Sequence, residues 1–136
     1  MDDSGLRWRL VGGNDPDIQG GSCHVFDSGG HTLIVDCGSR IGDDGRLWVP
    51  DIDTDLARAS AIALTHGHPD HICGLASALA RRVHCPPVYG TPLTLALFDD
   101  ACNRLGVSAS VRPVCHVLSS DGAVDLPGFR LSAYPV

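Results

Sequence analysis

Ser60-Ala61-Ile62-Ala63-Leu64-Thr65-His66-Gly67-His68-Pro69-Asp70-His71-Ile72 runs from an apolar stretch straight into four side chains able to bind a metal. Residues 60–65 predict a short strand buried on both faces. The histidines then fall at its carboxyl end, where open α/β sheets carry their sites. Downstream, Ile72, Leu75, Ala76, Leu79 and Ala80 recur at i, i+3, i+4, i+7 and i+8, one apolar helical face. The local order is strand, ligand loop, helix. It marks an α/β protein built of helix and sheet layers.

Within the loop, the spacing HxHxDH has a chemical reason. In extended chain, residues two apart face the same way, so His66 and His68 can present imidazoles to one ion. Asp70 and His71, read as following a bend, can serve a second ion close by. Two divalent ions so placed activate water and clamp a leaving oxygen, which assigns Asp70 and His71 to the catalytic step as well as to metal binding. Gly67 permits tight backbone geometry, while Pro69 fixes its own φ and pushes His68 toward extended conformations.

With 136 residues, 43% of them hydrophobic and 19% charged, the chain is long enough for one domain with a core of its own. No stretch approaches the ~18 apolar residues of a membrane span, and Met1-Asp2-Asp3-Ser4-Gly5 is acidic rather than a basic, apolar leader, so a cytoplasmic location without membrane is expected. A formal net charge of −6 argues against nucleic-acid binding by basic surface alone. Arg81-Arg82 and the Arg40/Arg46 loop, the local basic groupings, read as solvated faces. The six cysteines, Cys23, Cys37, Cys73, Cys85, Cys102 and Cys115, form no C-x-x-C pair and are expected to be reduced, mostly as small buried hydrophobes.

Around this centre, strands are expected at Leu6–Val11 and, as a hairpin through Ser28-Gly29-Gly30, at residues 23–27 and 31–36. Gly12 to Asp17 reads as a loop, and Gly38 to Asp51 as irregular chain over one end of the sheet. A short helix at 53–59 leads into the 60–65 strand. After a brief strand at Val88-Tyr89, Thr91-Pro92 caps a helix with Leu93, Ala96, Leu97, Ala101 and Leu105 on one face, ended by Gly106. Residues 111–118 and 129–136 read as closing strands on either side of the turn Ser119-Ser120-Asp121-Gly122.

Leu33-Ile34-Val35-Asp36-Cys37-Gly38, followed by Thr65 to Ile72, resembles the first two motifs of the metallo-β-lactamase superfamily, in which the aspartate matching Asp36 buttresses the metal loop from behind the ligands. More narrowly, Val49-Pro50-Asp51-Ile52, Leu64 to His68 with Gly74-Leu75, and Pro87-Val88-Tyr89-Gly90-Thr91-Pro92-Leu93-Thr94-Leu95-Ala96-Leu97 resemble the ribonuclease J group of its β-CASP branch. Near the amino end, Gly12-Gly13 and Ile18-Gln19-Gly20-Gly21 match loosely around an insertion at Asn14–Asp17. The resemblance implies that residues 1–136 are a partial metallo-β-lactamase domain, the N-terminal half of an αββα sandwich. The bridging aspartate, the later histidine ligands, the β-CASP domain and the C-terminal half would be absent.

The implied activity is hydrolysis of RNA phosphodiester bonds by zinc-activated water. Two divalent ions, zinc being the expected species, would be held by His66, His68, Asp70 and His71 in sites incomplete within this chain, so the chain alone is expected to be inactive. RNA is a partner by resemblance and not by surface charge, and no residue is assigned to substrate. Self-association, or a complementing C-terminal half, is expected because half a sandwich leaves one apolar sheet face open. Two other readings stand beside this one. A small-molecule hydrolase of the same fold is one, and residues 89–97 argue against it. A noncatalytic remnant or one half of a split protein is the other. His24, His31, His84 and His116 read as packed or surface residues rather than replacement ligands, with His116 nearest to the requirement.

Overall fold

The computed structural model describes residues 5–13, 21–81 and 84–134. Most of the expected loop at 12–17, the loose match at 18–20, Arg82 and residues 135–136 lie outside these.

Strands β1 (Arg7–Gly12), β2 (Cys23–Ser28) and β3 (His31–Cys37) pair antiparallel in sequence, and β2 and β3 meet through the Gly29-Gly30 turn. Both turn glycines have positive φ (57° and 79°), the backbone that glycine adopts without a Cβ penalty. A two-residue hairpin, β4 (Arg40–Ile41) with β5 (Leu47–Trp48), lies inside the stretch expected to be irregular. Helix α1 (Asp53–Arg58) follows, then β6 (Ala61–Ala63), α2 (Pro69–Leu79), β7 (Val88–Gly90), α3 (Pro92–Arg104) and β8 (Cys115–Val117). The main sheet has the order β1-β2-β3-β6-β7-β8, with β3, β6, β7 and β8 parallel. The three connections between these parallel strands each carry a helix.

All three helices sit on one face. Val25, Ile34, Ile62 and Val88 from the sheet meet Leu56, Ile72, Leu75, Leu79, Phe98 and Cys102 in the principal core. On the other face lies a hairpin of β9 (Ala123–Leu126) and β10 (Phe129–Ser132), whose Val124, Leu126, Phe129 and Leu131 cover Leu33, Ala61, Ala63, Tyr89 and Leu118. The apolar face expected to stand open is thus partly capped by the chain itself. Of the closing strand expected at 129–136, residues 129–132 form half of this hairpin and do not join the main sheet. Pairing is satisfied locally, because Pro127-Gly128 turns β9 back on β10 with Gly128 at φ 80°.

Two further expectations are corrected. Ala80 is exposed, and α2 buries Gly74 and Ala78 as well as Ile72, Leu75, Ala76 and Leu79. In α3 the stripe with Leu93, Ala96, Leu97 and Leu105 faces outward, Leu93 at 70% exposure, while Thr94, Phe98, Ala101 and Cys102 are buried. The helix has apolar side chains on two faces, and the fold buries the one carrying Phe98, the largest apolar area available. Of the cysteines, Cys23, Cys37 and Cys102 are buried as expected, but Cys115 is exposed.

At the end of the sheet away from the histidines, Arg58 ties α1 to the β2–β3 hairpin. Its Nη1 donates to Asp27 Oδ1 (2.5 Å) and Thr32 Oγ1 (2.7 Å), and its Nη2 donates to the buried Asp55 (2.9 Å). The Arg58 guanidinium, with help from the Thr32 hydroxyl and against the effect of burial, holds the Asp27 carboxyl below its ordinary value. A carboxyl lowered by folding stabilises the fold above the ordinary carboxylate range, and that contribution disappears as pH falls through its lowered value. Asp27→Asn is therefore expected to flatten the fall of the urea midpoint as pH drops below the ordinary aspartate range of about 4. An acid limb as steep as wild type would show that this pair contributes nothing.

Candidate metal centre

The strand β6 ends at Ala63, two residues before the expected boundary, although Leu64 N still donates to Tyr89 O (2.9 Å). Thr65 to His68 then form a loop at the carboxyl edge of the sheet. Pro69 occupies the first helical position of α2, where a missing N–H costs nothing. Asp70 and His71 thus sit in the first turn of α2 rather than beyond a bend, and the helix dipole favours the Asp70 carboxylate there.

Behind the loop, β3 carries a bulge. Cys23 pairs with Cys37 and His24 with Val35, so Asp36 is the additional residue on its strand. Its φ of 60° makes it the single non-glycine residue of positive φ among those described, a conformation that aspartate tolerates better than most. Asp36 is 3% exposed. Its Oδ1 accepts from Thr65 N (2.8 Å), and its Oδ2 accepts from Thr65 Oγ1 (2.7 Å) and from His71 Nδ1 (2.8 Å).

This array sets the tautomers of two histidines. A carboxylate only accepts, so His71 carries its proton on Nδ1 and turns the Nε2 lone pair outward. The Thr65 hydroxyl has one proton and gives it to Asp36. Toward His66 Nδ1, 3.0 Å away, it therefore acts as acceptor, which leaves the His66 Nε2 lone pair outward too. The His66 ring centroid lies 4.8 Å from that of His68 and 4.0 Å from that of His71, and His71 Nε2 is 3.6 Å from Asp70 Oδ2. His66 thus lies beside both His68 and His71, and His71 beside Asp70, with Asp36 behind them. Outward Nε2 lone pairs beside a carboxylate are donors of the kind a divalent ion takes, and among the described residues no three His, Cys, Asp or Glu side chains stand together as a finished metal site.

The backbone of the loop is docked as firmly as its side chains. Ser22 N donates to Asp70 O (2.9 Å), Ser39 N to Pro69 O (3.2 Å), and Gly38 N to Ser22 O (2.9 Å). A Cβ on Gly38 would collide with the Asp70 carbonyl, and one on Gly74 would collide with the Gly38 carbonyl. Nothing local in the sequence marks Thr65, Ser22 or Ser39 for a role. Gly38 and Gly74 stand out there only as motif members, although a glycine beside such a loop is a recognisable sign of close backbone approach.

The remaining candidates lie elsewhere. His24 stacks between Trp8 and Phe26 at centroid distances of 5.9 and 6.5 Å, His116 stacks on Tyr89 at 4.8 Å, and His31 opens β3. His84 is exposed. Cys37, hydrogen-bonded to Cys23 and buried, has its thiol pushed well up, which suits packing and not metal binding. Among the described residues no helix is long and apolar enough to cross a membrane.

Comparison with known proteins places these motifs in context. The family model described as the metallo-beta-lactamase superfamily matches residues 16–133. Ribonuclease J of Mycobacterium tuberculosis is 35% identical over 111 residues, covering 76% of this chain and 19% of its own length. Ribonuclease J of Corynebacterium glutamicum is 35% identical over 108 residues, 74% of this chain and 15% of its own. The chain thus spans at most about a fifth of the length of these curated relatives. Among solved structures, the metallo-beta-lactamase fold protein YhfI from Bacillus subtilis superposes with a TM-score of 0.60 at 18% identity, over 93% of this chain and 51% of that one. Human tRNase Z, short form, superposes with a TM-score of 0.51 at 20% identity, over 85% and 47%. Likeness at such identities speaks to the fold alone.

Proposed function

The chain belongs to the metallo-β-lactamase superfamily, and from that premise we propose that it carries the metal-binding segment of a ribonuclease J-like hydrolase acting on RNA phosphodiester bonds. The observation that carries this reading is the Asp36 array, which turns the Nε2 lone pairs of His66 and His71 outward beside Asp70. The names and identity of the ribonuclease J relatives supply the substrate class.

His66 and His68 would hold one divalent ion and Asp70 with His71 a second, zinc being the expected species. When bound, such ions activate water and neutralise the charge that develops on attacking and leaving oxygens. The chain's own part is to hold that geometry. Asp36 keeps the proton on Nδ1 of His71, and Thr65 passes the same constraint to His66. The start of α2 sets Asp70 and His71 side by side. With a net charge of −6, phosphate recognition falls to the metal site and to protein beyond this surface. Residues 1–136 are read as the first half of the αββα sandwich, with further ligands supplied by a second half.

The test pairs metal content with turnover. After dialysis the purified chain is expected to retain substoichiometric, easily chelated metal, reduced further in His66→Ala and His68→Ala. It is expected to leave a 5′-labelled RNA intact with added zinc or manganese, and to gain cleavage when co-expressed with a complementary second half unless Asp70 is replaced by alanine. Two tightly held ions per chain, or cleavage by the monomer that Asp70→Ala abolishes, would show that the site is complete within these residues. A complemented protein that hydrolyses small esters or lactams but not RNA would overturn the substrate.

A further inference from the structure

We infer that Leu97, on α3, is a positioning residue for the ligand loop, clamping Gly67 so that the His66 and His68 imidazoles keep their mutual geometry. This rests on the reading of those histidines as metal ligands.

The contact is specific. A Cβ built on Gly67 would meet Leu97 Cδ1 well inside 3.0 Å, and Leu97 Cβ and Cγ lie only 3.1 and 3.2 Å from that point. Leu97 therefore covers the space where any other residue at 67 would put its side chain. It remains 40% exposed, so packing into the core does not explain its place. It forms one wall of a groove of about 520 Å³ whose other lining residues include Ile41, Leu47 and Pro69, beside the loop.

The element that carries Leu97 is rigid. Thr91 Oγ1 caps α3 by accepting from Thr94 N (3.4 Å), and Phe98 and Cys102 are buried beneath it. Arg112 staples its second half, donating from Nη1 to Asp99 Oδ1 (2.6 Å) and from Nη2 to Asn103 Oδ1 (2.7 Å). A side chain on a capped, stapled helix is a fixed stop for a loop that has no regular structure of its own. The same contact explains the glycine. At 67 it is steric, since the backbone there is not in the left-handed region.

The test is a steric cycle on the full chain with two readouts: apparent affinity for Zn(II) and Co(II), with the Co(II) absorption band as signature, and metal-free amide exchange of the peptide spanning residues 64–72. Leu97→Ala is expected to weaken both metals about 10- to 100-fold, the range typical for residues that orient ligands. It should also speed exchange in that peptide while β2 and β3 exchange as in wild type. Leu97→Met, which keeps the volume, is expected to behave as wild type. Gly67→Ala is expected to be at least as damaging as Leu97→Ala, and the double variant Gly67→Ala/Leu97→Ala to recover most of the way to the level of Leu97→Ala alone, because the clash with Cδ1 and the contact with Cγ are gone and only the residue 97 Cβ, at 3.1 Å, must still give way slightly. Unchanged affinity and exchange in Leu97→Ala, or a double variant no better than Gly67→Ala, would overturn the clamp. A wild-type chain that binds neither metal would overturn the ligand reading instead. The exchange data and the Gly67/Leu97 cycle would then decide the clamp by themselves.

Discussion

Gly38→Ala is expected to destabilise the chain by about 3 kcal/mol or more, a melting-temperature loss of roughly 10 °C, or to prevent folding altogether. The added Cβ would fall on the carbonyl of Asp70 and beside the amide of His71, both backbone atoms that cannot swing aside. The Asp70 carbonyl is held by the Ser22 amide and the preceding Pro69 carbonyl by the Ser39 amide, and α2 is held close by Gly74, whose own Cβ would strike the Gly38 carbonyl. Relief therefore requires the start of α2 to move away from β3, opening the core around Ile72 and Leu75. The informative control is Gly45→Ala. Gly45 has φ 75° and nothing within 4 Å of its Cβ position, so alanine there meets only the left-handed backbone cost of about 1–2 kcal/mol. Thermal unfolding of the two variants separates steric contact from conformational strain. If Gly38→Ala were no worse than Gly45→Ala, the close approach of β3 to α2 would not matter to the fold.

Asp36→Ala is the second large effect, expected to cost about 3–5 kcal/mol. It removes one buried carboxylate that accepts three hydrogen bonds, strands the Thr65 amide and the His71 Nδ1 proton, and places alanine at φ 60°. Asp36→Asn separates fold from site. Asparagine tolerates the same backbone and keeps one acceptor, so much of the stability should return, yet its amide group donates where the carboxylate oxygen accepted. His71 and His66 should then lose their single tautomers, visible as a change in the imidazole nitrogen shifts, and metal affinity should fall by about 10- to 100-fold. Imidazole shifts in Asp36→Asn identical to wild type would show that Asp36 does not control the histidines.

How much of this could be read from residues alone differs from element to element. The 61–63 strand, α2 and the cap of α3 at Thr91-Pro92 announce themselves, because periodicity and capping are local and a short window contains all the information they need. Local pattern does not decide where two such patterns compete. In α3 both stripes are apolar, and the choice of the one with Phe98 over the one with Leu93 and Leu97 depends on what the sheet and α2 offer opposite. The β9–β10 hairpin is not expected from the sequence, only a closing strand at 129–136: Val124-Asp125-Leu126 is too short to stand out, and the Pro127-Gly128 turn does not say against which face its strands will lie.

The candidate site divides along the same line. His66, His68, Asp70 and His71 lie within six consecutive residues, so the chain's own spacing gathers them whatever the rest does. Their orientation is different in kind. Asp36 is 29 residues from Thr65 and 35 from His71, and its carboxylate reaches them only because a bulge in β3 and the parallel pairing of β3 with β6 bring two distant strand ends together. Gly38 against Asp70 and Leu97 against Gly67 are likewise contacts between elements. Identity of the candidate ligands is a property of contiguous sequence. Their tautomers, spacing and rigidity arise from packing, because a hydrogen bond or a van der Waals stop has direction only when both of its partners are already held in place.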